Sequence, residues 1–318
     1  MGEPLFVGGT GRSGSTVVGY LLGAHPQIWA TMPREIRFIT DRGGLLDLTY
    51  GVGTRVDLPG PGYGSPMRQL QWLRARILRR NSNGIATTPT RFVRQLQSQW
   101  WERRSPDGEA RGLHRGVERD ALEEAVSHFL DAFPNGAEPA ARALVNEILD
   151  PPARRANRDT WADTTPQNAE NAHRIVRLFP QAKVVHVIRD GRDTCASVLR
   201  KQWGPNDWFT ALEWWRAGAM KAHASMRQVG NRNGHTVQLE ALVERDRQPT
   251  LHALFDFLER DVTESVQRYF DDRVRADRAH FGRWADEVPA DLRARVNRRY
   301  EQIWRELRDE GYELTPLD

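Results

Sequence analysis

Gly8-Gly9-Thr10-Gly11-Arg12-Ser13-Gly14-Ser15-Thr16 follows the apolar Pro4-Leu5-Phe6-Val7 and runs into Val17-Val18-Gly19-Tyr20-Leu21-Leu22. That order predicts a strand, a loop and a helix. Glycine turns the backbone tightly without steric cost, so the loop's N–H groups can converge on an oxyanion. The positive end of the following helix favours the same guest. A plain structural turn is the alternative.

The spacing is close to that of a nucleotide-binding P-loop, with one difference. The nucleotide motif has Lys directly after its last glycine. Ser15 stands there, and the loop's only cation is Arg12. The loop is therefore read as an anion site that is not built for the polyphosphate of ATP.

The 318 residues are enough for one large α/β domain with insertions. With 46 Lys and Arg against 42 Asp and Glu, the formal charge of +4 does not suggest nucleic acid as a partner. The basic residues are almost all Arg; only Lys183, Lys201 and Lys221 are lysines. Arg presents a planar fork of donors suited to phosphate and sulfate. The single cysteine, Cys195, rules out an intramolecular disulfide and a cysteine-built metal site. No secretion signal is legible, and no run reaches the ~18 apolar residues of a membrane span. The expectation is a cytoplasmic protein.

Further along, His25-Pro26 ends the first helix, and residues 27–42 are mixed. Gly43 to Pro66, with Pro59-Gly60-Pro61-Gly62, reads as an irregular loop. Helical pattern covers 67–104 in two pieces broken around Asn81-Ser82-Asn83-Gly84, and after Ser105-Pro106-Asp107-Gly108 it resumes over 119–132 and 138–149, closed by Pro151-Pro152. Then an α/β rhythm appears: a helix from Gln167 to Phe179, a buried strand at Lys183–Ile188, and a helix starting near Asp193. A Trp-containing helix over 207–229, a strand at His235–Leu239 and helices over 249–259 and 289–309 complete it. Alternating strands and helices predict a P-loop-style parallel sheet of about five strands flanked by helices. One domain over 1–318 is expected. Residues 1–42 hold the first motif, 43–150 a helical insertion capping the acceptor side, and 151–318 the second motif and closing helices.

Arg189 stands at the carboxyl end of the predicted strand Lys183–Ile188, where ligands of open α/β sheets collect. Ser197 lies about two turns into the helix that follows. Alone, these would be a loop cap and a helix-surface hydroxyl. Together, Gly11-Arg12-Ser13-Gly14-Ser15-Thr16 and Arg189-(seven residues)-Ser197 resemble the two donor motifs of sulfotransferases that use 3′-phosphoadenosine 5′-phosphosulfate (PAPS). The run Leu178 to Arg192 resembles the tyrosylprotein and bacterial branch. Leu239-Glu240-Ala241-Leu242 sits where that family often has Tyr-Glu-Asp-Leu, and Phe281-Gly282-Arg283-Trp284 resembles its late Gly-Arg-Trp segment.

The resemblance implies metal-independent transfer of a sulfuryl group from PAPS to a hydroxyl of a small molecule, glycan or lipid, releasing 3′,5′-ADP. It implies Arg12 at the sulfuryl group and bridging oxygen, and Gly11 to Thr16 around the 5′-phosphate. Arg189 and Ser197 would take the 3′-phosphate, with Arg283 or Arg278 adding a contact. Glu35 is the implied general base, against an ion pair with Arg34 or Arg37; His25, His173 and His186 are weaker candidates. Two departures stand out: Thr164 occupies the position of a family Lys, and Leu239 replaces an adenine-contacting Tyr. Trp203, Trp208, Trp214 and Trp215 line an acceptor pocket or pack a helix core. An ATP-dependent phosphotransferase and a non-catalytic PAPS or nucleotide binder are the competing readings.

Overall fold

The computed structural model describes residues 3–30, 35–56, 87–104 and 110–316. Five parallel strands form the main sheet: β1 (Leu5–Gly9), β2 (Ile28–Ala30), β5 (Thr160–Asp163), β6 (Lys183–Ile188) and β7 (Gly234–Gln238), in the order β2-β5-β1-β6-β7. A small antiparallel pair, β3 (Arg103–Arg104) and β4 (Ala110–Arg111), lies apart from it. β1 aligns with β6 from Leu5↔Lys183 to Gly9↔Val187, so the carboxyl ends of these two strands are neighbours. The chain leaves β1 towards β2 on one side, while β6 lies on the other. This reversal opens the crevice in which doubly wound sheets bind ligands.

Side-chain alternation divides the core into two layers. Leu5, Val7, Val185 and Val187 pack with α1 (Ser15–Gly23), α9 (Arg247–Phe257) and α10 (Glu264–Arg273). Phe6 and Val184 face the other layer. There they meet α2 (Leu45–Tyr50), α3 (Pro89–Leu96), α4 (Arg119–Ala132), α5 (Ala137–Arg155) and α6 (Ala172–Leu178). Every residue of β6 is buried, as a central parallel strand requires. A third cluster joins α7 (Gly191–Leu199), α8 (Trp208–Val229) and, beyond the short helices α11 (Ala276–Ala279) and α12 (Trp284–Glu287), the closing helix α13 (Ala290–Asp309).

Several expectations change. Residues 45–50 are helical within the stretch expected to be irregular; their Asp47 carboxylate, fully buried, takes Arg55 Nε at 2.8 Å and Arg174 Nη2 at 3.0 Å. Val52–Thr54 adds a 3-10 turn, while residues 57–66 of that stretch, the helical piece from 67 and the breaks at 81–84 and 105–108 fall outside the described residues. Pro151-Pro152 does not close α5, which runs on to Arg155. Proline's fixed φ is compatible with a helix, and burial of Pro152 and Ala153 offsets the missing N–H bonds. The helix expected over 167–179 opens as a 3-10 turn, Pro166–Asn171, before α6. Here the Asn168 amide donates to Val7 O at 3.2 Å and Asp163 Oδ2 at 2.9 Å, pinning the turn to the middle of β1 and the end of β5. The approach is close: a Cβ on Gly8 would lie 2.2 Å from the Ala169 nitrogen.

Candidate active site

The loop after β1 uses three left-handed residues, Gly11 (φ 76°), Arg12 (φ 62°) and Gly14 (φ 104°), to deliver α1 at Ser15. No side chain caps this helix end and no acid occupies its first turn, so its positive pole is left to a guest anion. Ser13 is buried with its Oγ unpartnered. Leu239, at the Tyr position, packs beneath the loop; its Cδ2 would lie 2.7 Å from a Cβ at Gly14.

The two sequence motifs meet directly. Arg12 Nε donates to Ser197 Oγ at 3.0 Å, across 185 residues of chain. Arg189, immediately past β6, donates from Nη1 to Arg12 O at 3.5 Å and from Nη2 to Ala279 O and His280 O, both at 3.1 Å. Its Nε is buried and unpartnered. Asp193, one turn into α7, accepts from Gly282 N at 2.9 Å and Trp284 N at 3.1 Å, tying the late segment to the same corner. Partial burial first, then the like charges of Arg189 and Arg200, lower the Arg12 pKa, with Glu35 opposing them and Arg111 adding to them. An Arg so placed stays protonated. An anion would relieve the repulsion.

Glu35 belongs to this charge cluster. Its carboxylate accepts from Arg37 Nε at 3.0 Å and lies 3.7 Å from Arg103 Nη2, which also donates to Glu35 O at 2.9 Å. The ion pair with Arg37 and the membership in the Arg12 cluster therefore coexist; Arg34 is outside the described residues. Arg283 instead turns to Glu287, which also accepts from Arg200 Nη1 at 2.6 Å, and Arg278 is exposed. None of the histidine candidates joins this cluster. His25 packs at a tilt against Phe255, His173 bonds Ser225 and Thr54 O, and His186 is buried inside β6 with its Nε2 unpartnered, where desolvation lowers its pKa to about 4.

Thr164 is buried, and its methyl occupies the space of a Cβ at Gly19 of α1. Of the three cations that act on Arg12, only Arg189 was expected from the sequence; Arg200 and Arg111 were not. Arg200 carried a signal, three residues after Ser197. Arg111 carried none, since the β3/β4 pair brings it in. The four tryptophans divide: Trp208 and Trp215 are core, Trp214 sits with its ring edge 3.7 Å from a Cβ built on Gly11, and Trp203 is 60% exposed.

Glu240 supports the Arg189 corner by accepting from Asp190 N at 2.8 Å, while its Oε2 is buried without a partner. Burial raises its pKa from 4.5 to about 7. The sign follows: stability tied to the neutral acid is full below about 4.5 and is lost as pH rises through about 7. Glu240→Gln keeps the acceptor without the charge. Its melting free energy relative to wild type should therefore improve by about 2 kcal/mol between about pH 5 and about pH 8. A pH-independent difference in thermal melts would refute this.

Among the described residues no group of three or more His, Cys, Asp or Glu is arranged to hold a metal ion. No helix among them is long and apolar enough to cross a membrane.

A five-stranded parallel sheet flanked by helices carries the two motif-bearing loops at the adjacent ends of β1 and β6. A model of the sulfotransferase family matches residues 73–264, and the chain belongs to that family. The match begins after the glycine loop, whose reading rests on its own residues. A protein-tyrosine sulfotransferase of Drosophila melanogaster is 23% identical over 245 residues, 75% of this chain and 34% of that protein. The chain thus spans about a third of that relative's length. The sulfotransferase domain of the curacin biosynthetic pathway superposes with a TM-score of 0.51 at 13% identity, over 99% of both chains. That of the Synechococcus PCC 7002 olefin synthase gives 0.49 at 19%, over 99% and 96%. The first of these likenesses supports the fold.

Proposed function

We propose that the protein transfers a sulfuryl group from PAPS to an acceptor hydroxyl by in-line displacement, releasing 3′,5′-ADP, in the cytoplasm. The observation that carries this is the Arg12–Ser197 contact, which joins both anion-directed segments at one corner. Backbone amides of Gly11 to Thr16 and the Ser13, Ser15 and Thr16 hydroxyls would hold the 5′-phosphate. Arg189 and Ser197 would take the 3′-phosphate. As the S–O bond breaks, charge grows on the bridging oxygen, and the Arg12 guanidinium stabilises it in place. Glu35 would accept the hydroxyl proton. Arg111 and Arg200 would supply the positive field that a lysine at Thr164 supplies elsewhere.

The acceptor is a hydroxyl-bearing small molecule, glycan, lipid or tyrosyl side chain, selected by the helical cap within residues 43–150. Calorimetry tests the donor. We expect 3′,5′-ADP to bind about 100-fold more tightly than ADP or ATP, the equivalent of about 2.7 kcal/mol from the 3′-phosphate contacts. Preference for ATP would return the protein to the phosphotransferases. Tight 3′,5′-ADP binding with no turnover of any hydroxyl would leave a binder only.

A further inference from the structure

Residues 36–40 hang on the end of β5 by three rungs. Ile36 N donates to Asp163 Oδ1 at 3.1 Å, Arg37 N to Thr165 Oγ1 at 3.1 Å, and Thr40 Oγ1 to Asn168 Oδ1 at 3.2 Å. Asp163 is the hub: its Oδ1 also accepts from Thr165 N at 3.1 Å and Thr165 Oγ1 at 2.8 Å, and its Oδ2 from Asn168 Nδ2 at 2.9 Å. Its side chain is wholly buried. A buried carboxylate with four donors is expensive to hold and rigid once satisfied. What it fixes is the backbone immediately after Glu35, including Arg37, which sits at φ 64° where a non-glycine residue is strained.

We propose that Asp163 is a positioning residue that sets the Glu35 carboxylate against the Arg12 corner through the Ile36 amide. This rests on the reading of Glu35 as the base. Thr165 and Asn168 complete the frame. Asn168 adds a bond to Val7 O, linking the frame to the strand that delivers the glycine loop. The base and the sulfuryl-directed cation are thereby referenced to the same two strands, β1 and β5.

Two measurements test it. In Asp163→Asn the new amide NH2 faces either the Asn168 amide donor or the Ile36 and Thr165 donors, so at least one of the four hydrogen bonds that Asp163 accepts is lost and the frame loosens. Hydrogen exchange of residues 36–41 should accelerate by about tenfold or more, with the segment 12–18 unchanged. Unchanged protection at 36–41 overturns the proposal, and so does equal loosening of both segments. With PAPS and 2-naphthol as the acceptor probe, kcat should fall by about 30-fold while 3′,5′-ADP affinity stays within about twofold. In a Glu35→Gln background the same change should cost less than about threefold, because the two residues act as one unit. An equal loss in both backgrounds refutes positioning through Glu35. Full activity of Glu35→Gln alone instead removes the base assignment, a separate failure. Should Asp163→Asn not fold, Thr165→Val removes the Arg37 rung and is read by the same criteria.

Discussion

Arg12→Ala should lower turnover by about three orders of magnitude while 3′,5′-ADP binding weakens by less than about tenfold. The asymmetry follows from where the guanidinium sits. It is held by Ser197 and pressed by Arg189 and Arg200, so it is a fixed charge that need not reorganise as negative charge moves onto the leaving oxygen. In the proposed reaction the product would carry that charge on a phosphate that loop amides also bind, and so would depend on Arg12 less. Arg12→Lys keeps a charge but cannot reach Ser197 and the bridging oxygen at once, and should recover only part of the rate. Single-turnover measurement with radiolabelled donor separates the steps. A rate within about tenfold of wild type in Arg12→Ala would remove its assigned role.

Arg189→Ala should act in the opposite manner, weakening 3′,5′-ADP by about 100-fold or more. ADP, which lacks the 3′-phosphate, should bind the variant and the wild type about equally, so the discrimination between the nucleotides collapses. Its side chain is only 10% exposed, and its bonds to Ala279 O and His280 O brace the late segment. Some loss of affinity will therefore reflect a looser segment rather than a missing charge. The ADP titration separates the two, because loosening alone would weaken both nucleotides. Preserved discrimination in Arg189→Ala would overturn the 3′-phosphate assignment.

Much of the frame was legible in the residues. Lys183–Ile188 is a mostly apolar, β-branched segment between Pro180 and Arg189, and the strand has the ends expected for it. The long Trp-bearing helix and the closing helix each start one residue later than expected and end where expected. β2 and β5 were not legible because three or four residues are too short to show a period, and Trp161-Ala162-Asp163 is buried on both faces. α10 was passed over because its two buried apolar residues, Val266 and Phe270, give only one repeat of the helical spacing. At the site, the Arg12–Ser197 meeting followed from the paired motifs. Asp163, Arg111 and Arg200 did not, since each owes its part to tertiary placement: a strand end, a small hairpin and the last turn of a helix.

The left-handed backbone at Arg12 sets durability against turnover at a single codon. Glycine there would relieve the backbone, and Arg12→Gly should be more stable than Arg12→Ala by about 1 kcal/mol. A library screened for heat resistance alone would therefore drift towards discarding the guanidinium, and thermostable clones inert towards PAPS should recur with that one replacement.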